Sequence, residues 1–212
     1  MAQLIVFDLD GTLVDSRLDL ANSANALIGE LGGRPLPVDT IAAMVGEGAS
    51  LLVRRALAAA GLDPETPGSL TRFLALYDER LLEHTRPYDG IEEVLQAMQS
   101  RARLAILTNK PQRPTEVLLA GLQLDRYFSE VLGGDTPLGR KPGPSGLLEL
   151  TRRAGVAIAS TVMIGDSLID LQTARAAGCG AVLVRYGFGF RNPDRQPGES
   201  IVDSPRDLTN FF

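Results

Sequence analysis

The stretch VFDLDGTLVDS, Val6 to Ser16, decides how the rest of the chain is read. Leu4 to Leu9 is a short apolar run bounded by turn residues, the mark of a buried strand. It ends in two aspartates separated by one residue. Side chains at i and i+2 of a strand point the same way, about 6.6 Å apart. Asp8 and Asp10 are therefore expected to face one pocket at the carboxyl end of strand 1. Gly11 permits a close turn after them. Alone, such a pair reads as a solvated strand end or a helix cap. Two carboxylates so placed repel each other, and a site built on them needs positive charge.

Outward from this stretch the chain changes rhythm twice. From about Ser16 to His84 the apolar spacing is helical. Leu20, Ala24, Leu27, Ile28 and Leu31 share one face, closed by Gly32 and Gly33. Leu52, Val53, Ala56, Leu57 and Ala60 mark a second helix, and Leu70 to Leu82 a third. After Pro87-Tyr88-Asp89-Gly90, strands at Leu104–Leu107, 131–132, 161–164 and 181–184 alternate with helices of about ten residues. That alternation implies βαβ units and a parallel sheet. The expected fold class is α/β, a Rossmann-like parallel sheet core with an inserted all-helical cap domain. The core is expected to be discontinuous, residues 1–15 and 86–212, with the helical cap at 16–85.

Composition narrows the function classes. The chain has 212 residues, 44% of them apolar, and a formal net charge of −5. A nucleic-acid partner is not expected, since phosphate-backbone binders show a basic face. No run reaches the roughly 18 apolar residues of a membrane span, and no signal peptide is apparent, so a cytoplasmic protein without membrane partners is expected. The single cysteine, Cys179, fits a reducing compartment. The single histidine, His84, excludes multi-histidine metal sites. Cys179 and Arg185 satisfy the Cys-x5-Arg spacing of cysteine phosphatases, but the intervening Gly-Ala-Val-Leu-Val reads as a strand. Extended, it would hold the two ends about 20 Å apart.

Three more polar groups fall just past core strands: Thr108-Asn109-Lys110, Arg140-Lys141-Pro142-Gly143-Pro144 before a helix, and Gly165-Asp166-Ser167-Leu168-Ile169-Asp170. In an open parallel sheet they converge on the ligand-binding edge. Singly, Thr108 reads as a turn residue, Asp166 as a cap and Lys141 as a surface lysine. Together they supply carboxylates, a hydroxyl and an ammonium, suited to a hard divalent cation and a phosphoryl group.

These four motifs, in this order and across essentially the whole chain, resemble those of the haloacid dehalogenase superfamily. The resemblance implies that Asp8 is a nucleophile forming an aspartyl-phosphate, and that Asp10 serves as general acid and then base. It implies Mg²⁺ held by Asp8, the Asp10 carbonyl and Asp166, with Thr108, Asn109 and Lys141 on the substrate phosphoryl group and Asp170 ordering Lys141. Asp10 points to phosphoryl transfer, because halide-removing members need no leaving-group acid.

Val45-Gly46-Glu47-Gly48-Ala49, Arg54-Arg55-Ala56-Leu57 and Leu107-Thr108-Asn109-Lys110-Pro111 are similar to segments of phosphoglycolate phosphatases. The expected activity is hydrolysis of a small phosphorylated metabolite, 2-phosphoglycolate foremost. Another sugar phosphate, pyrophosphate or a phosphomutase reaction is the alternative. Arg54 and Arg55 are a possible carboxylate fork, though two solvated helix arginines are an equal reading. A non-enzymatic phospho-receiver domain is a weaker rival, since it lacks a helical insertion and carries its aspartate on a central strand. A monomer or homodimer is expected.

Overall fold

The computed structural model describes residues 2–194 and 196–211; Met1 and Phe212, the expected limits of the core, lie outside the described residues. Strand β1 (Leu4–Phe7) lies inside a six-stranded parallel sheet. On one side it pairs with β4 (Arg103–Leu107), which pairs with β5 (Glu130–Leu132). On the other it pairs with β6 (Thr161–Gly165), followed by β7 (Gly180–Val184) and β8 (Glu199–Val202). The order β5-β4-β1-β6-β7-β8 means the chain builds leftward from β1 and then crosses to its right. Such a switch point opens a crevice at the carboxyl ends of the central strands.

Both faces of β1 are covered, which explains its unbroken apolar run. Leu4 and Val6 join Leu147, Leu150 and Leu171 of helices α7 (Ser145–Ala154) and α8 (Leu168–Ala177). Ile5 and Phe7 face the other way, into a cluster with Ile91, Leu95 and Met98 of α5 (Ile91–Gln99). Helix α6 (Gln112–Gly121) completes the core crossovers. Helix α8 starts with a reciprocal cap in which Ser167 and Asp170 satisfy each other's backbone, and stops at Gly178 with φ +80°.

Between Val14 and Arg86 lie four helices: α1 (Arg17–Glu30), α2 (Val38–Ala42), α3 (Ala49–Ala59) and α4 (Ser69–Asp78). A two-residue antiparallel pair, β2 (Val14–Asp15) and β3 (Arg86–Pro87), brings the ends of this segment together. Two-residue strands carry no readable period, so the sequence does not announce them. Nor does it announce β8, whose Glu-Ser-Ile-Val lies at the sheet edge with three of four residues only half buried. The third helix stops at Asp78 rather than reaching Leu82. Its last turn tightens, with Arg80 N–H donating to Tyr77 O and the Arg80 guanidinium to Leu76 O.

The return from helices to core is fixed by Asp19, which is fully buried. Its carboxylate accepts from His84 N–H (3.0 Å), Thr85 N–H (2.8 Å) and Thr85 Oγ1 (2.7 Å), and lies 2.9 Å from His84 Nδ1. His84 is exposed but anchored. Burial pushes the Asp19 carboxyl up, yet the hydrogen bonds from Thr85 and His84 outweigh it and hold it below the usual range. Asp19→Ala is expected to lower the unfolding free energy by about 2–4 kcal/mol, through stranded buried donors. A depressed folded-state pKa contributes stability present above the unfolded value of about 3.9 and lost as pH falls through the lower folded value. Urea titrations should therefore show the wild-type advantage intact above about pH 4 and shrinking below it. An advantage independent of pH down to full acid unfolding would contradict this.

Candidate active site

The Asp8 and Asp10 pair sits beyond the strand that leads to it. β1 ends at Phe7, but the ladder continues one step, Asp8 N–H donating to Ile164 O at 2.8 Å. Leu9 is buried, and Asp8 and Asp10 both border a cleft between sheet edge and helices. The cleft encloses about 50 Å³. Its floor is Asp8, Asp10, Thr108, Asn109, Asp166 and Ser167; its far wall is apolar, including Leu20, Val45, Leu52, Phe73 and Leu74.

Asp8, Asp166 and Asp170 are all buried, with carboxylate oxygens within 4.8 Å of one another. One ammonium answers them. Lys141 Nζ lies 2.6 Å from Asp170 Oδ1 and 2.8 Å from Asp8 Oδ1. The approach to Asp8 Oδ1 lacks hydrogen-bond alignment, so that buried oxygen has a neighbouring charge but no hydrogen-bond partner. Burial, followed by the Asp170 charge, pushes Asp8 up to about 6 despite the nearby Lys141. Burial and the charges of Asp170 and Asp8 push Asp166 well above the usual range. Burial disfavours the Lys141 ammonium, but Asp170 and Asp8 more than reverse this and push it up. The site thus carries a deficit of positive charge, with an unpartnered carboxylate oxygen facing it. An all-oxygen donor set of this kind fits a hard divalent cation such as Mg²⁺.

Asp166 is wedged in by glycines. Gly189 N–H donates to its Oδ2 at 2.7 Å. A Cβ at Gly187 would collide with the Asp166 side chain and the Gly11 carbonyl, and one at Gly11 (φ +84°) would overlap the carboxylate itself. The Tyr186–Arg191 loop is therefore part of the site, with Phe188 bordering the cleft; glycines at its approach are the one sequence signal for that.

Asn109, expected on the substrate phosphoryl group, also braces the loops. Its Nδ2 donates to Gly46 O (2.8 Å) and Lys141 O (3.0 Å), and its Oδ1 accepts from Lys141 N–H (2.9 Å). Thr108 is buried, its Oγ1 accepting from Lys110 N–H. Asp170 divides its oxygens between Lys141 and the α8 cap. Lys141 does not itself border the cleft; it stands against Asp8.

Three contacts escape sequence reasoning. Asp10 Oδ1 accepts from Ser16 Oγ at 2.6 Å. Lys110 Nζ lies 3.2 Å from both Asp10 oxygens and donates to Tyr77 Oη at 2.6 Å, also sitting 4.4 Å from the Tyr77 ring centre. Burial pushes the Tyr77 hydroxyl up to about 12, so it remains protonated. Arg54 and Arg55, by contrast, are exposed, pair with Glu65 and Glu47, and do not border the cleft. Cys179 lies just before β7, with Gly180–Val184 extended and no anion-binding curl.

A buried carboxylate beside an ammonium, at this edge of a parallel sheet, suits a hydrolase of phosphate esters. The family of haloacid dehalogenase-like hydrolases matches residues 5–184. A phosphoglycolate phosphatase of Pseudomonas syringae pv. tomato is 38% identical over 208 residues, 95% of this chain and 76% of that one. The phosphoglycolate phosphatase of Rhodospirillum rubrum is 42% identical over 209 residues, 95% and 85% of the two chains. A crystal structure described as a predicted phosphoglycolate phosphatase from Haemophilus somnus superposes with a TM-score of 0.91 at 30% identity, covering 99% and 97%. The chain belongs to the haloacid dehalogenase-like hydrolases, as a phosphoric monoester hydrolase. Among the described residues, no helix is long and apolar enough to cross a membrane.

A cation that relieves the carboxylates binds the folded protein only. At about 100 times its Kd, Mg²⁺ should add about 2.7 kcal/mol, a rise in Tm of roughly 5–10 °C for a chain of this size. Asp166→Ala and Gly187→Ala should abolish the rise. A full Mg²⁺ shift in both variants would contradict this site.

Proposed function

We propose that the protein hydrolyses 2-phosphoglycolate to glycolate and phosphate through a phosphoryl group carried on Asp8, and that residues 16–85 act as its cap domain. The observation that carries the reading is the buried Asp8 carboxylate, its Oδ1 ion-paired to Lys141 yet without a hydrogen-bond partner, at the floor of a cleft the helices roof with apolar side chains. The relatives named as phosphoglycolate phosphatases support the substrate.

An Asp8 oxygen forms a bond to phosphorus as the bond to the glycolate oxygen breaks. Asp10, oriented by Ser16 and Lys110, gives that departing oxygen its proton. It then takes a proton from the water that attacks phosphorus, and Asp8 is released as a carboxylate. The Thr108 hydroxyl and the Asn109 backbone N–H contribute donors to the phosphoryl oxygens, and Lys141 steadies the charge on Asp8. Asp170 holds Lys141 in that position. A Mg²⁺ ion held by Asp8, the Asp10 carbonyl and Asp166 would neutralise charge on the phosphoryl oxygens. Apolar side chains from the helices limit water at the phosphoaspartate.

A phosphate-release panel with Mg²⁺, covering phosphoglycolate, sugar phosphates, nucleotides and pyrophosphate, tests the substrate. Phosphoglycolate should give the highest kcat/KM. Its ranking among the poorest would overturn the substrate while leaving the hydrolase class intact. Asp8→Asn should lose at least about 10³-fold in kcat with the circular dichroism spectrum unchanged. Normal turnover in that variant would sink the nucleophile assignment.

A further inference from the structure

Lys110 orients Asp10, but its bond to Tyr77 is a contact that the hydrolytic chemistry does not explain. A substrate carboxylate buried in this cleft needs a cationic or hydrogen-bonding partner, because an unpaired buried charge is strongly disfavoured. Among the described residues bordering the cleft, Lys110 is the one cation. Lys141 is taken by Asp8 and Asp170, and Arg54 and Arg55 are paired on the outer surface. The wall facing the catalytic floor is otherwise apolar apart from Tyr77, which α4 brings from the helical side.

The pair can exchange one of its contacts for a ligand. An ammonium has three N–H donors. Here they meet three acceptor atoms, Tyr77 Oη at 2.6 Å and the two Asp10 carboxylate oxygens at 3.2 Å each. The latter distance is long for a charge-assisted bond, which normally spans about 2.7–2.9 Å. Tyr77 Oη accepts from Lys110, and among the described residues its own O–H has no acceptor. Both groups are buried, so their orientation is set by packing: Tyr77 stacks on Phe73 with ring centres 5.9 Å apart.

We propose that Lys110 and Tyr77 are the specificity-determining pair, receiving the anionic carboxylate of the leaving group while Asp8 receives the phosphorus. This rests on the phosphoglycolate reading above. Because Tyr77 belongs to the helical segment and Lys110 to the core, a bound carboxylate would join the two across the cleft. A leaving group that carries a carboxylate gains these contacts, whereas an uncharged leaving group of similar size does not.

The test compares kcat/KM for 2-phosphoglycolate with that for ethyl phosphate, in which a methyl group stands in place of the carboxylate, at saturating Mg²⁺. Lys110 also touches Asp10, so Lys110→Met can slow both substrates. The ratio between them reads carboxylate recognition alone. In the wild type the ratio should favour phosphoglycolate. Lys110→Met should cut it by about 10- to 100-fold, the worth of one hydrogen bond to a charged group, chiefly through KM for phosphoglycolate. Tyr77→Phe, which removes one oxygen and keeps the ring packing, should cut it by about 3- to 10-fold. A wild-type preference that survives unchanged in both variants overturns this pair and leaves the substrate reading standing. A wild type with no preference for the carboxylate overturns the substrate reading, and the pair with it.

Discussion

Three buried carboxylates within 4.8 Å of one another, answered by a single lysine, are the constraint around which this molecule is arranged. Each buried ion carries a desolvation cost of several kcal/mol. The arrangement persists because neighbouring elements fix every participant. Parallel β1 and β6 deliver Asp8 and Asp166 to the same edge, and the cap of α8 orients Asp170. Asn109 grips both backbone groups of Lys141 from the end of β4. Glycines 11, 187 and 189 give up their side chains so that Asp166 can approach. The charge left uncompensated is what makes the centre receptive to a hard cation and a phosphoryl group.

The helical segment is tied to that centre at two points rather than resting on it. Asn109 Nδ2 donates to Gly46 O, and Lys110 reaches Tyr77. Both core partners directly follow Thr108, so one three-residue loop places the hydroxyl proposed to meet the phosphoryl group and the two roof contacts together. Any displacement of the helices is felt at Asp10, which shares Lys110 with Tyr77. Asp19 holds the base of the same segment at a distance from the chemistry, through the residues where the chain returns to the sheet.

Much of this is legible in the sequence, for a physical reason. Buried parallel strands must be apolar throughout, so a polar residue immediately after such a run stands at the ligand-binding edge. That logic locates Asp8, Thr108 and Asp166 without coordinates, and the helical spacing of Leu20 to Leu31 and Ile91 to Met98 gives the layers around them. Contacts between distant segments are not legible. Nothing in Lys110 or Tyr77 announces a bond across 33 positions of sequence. Gly189 looks like loop flexibility until Asp166 accepts its N–H. Paired arginines on a helix invite a substrate role, and only their placement beside Glu65 and Glu47 removes it. The edge strand β8 is hidden because half-buried positions need no apolar pattern.

The most direct measurement is to quench the enzyme with acid during steady turnover of its substrate with Mg²⁺ and map the phosphoryl adduct by peptide mass. An acyl phosphate on Asp8, labile to hydroxylamine and absent without substrate, is the result this account predicts. Turnover accompanied by an adduct on any other side chain would contradict it.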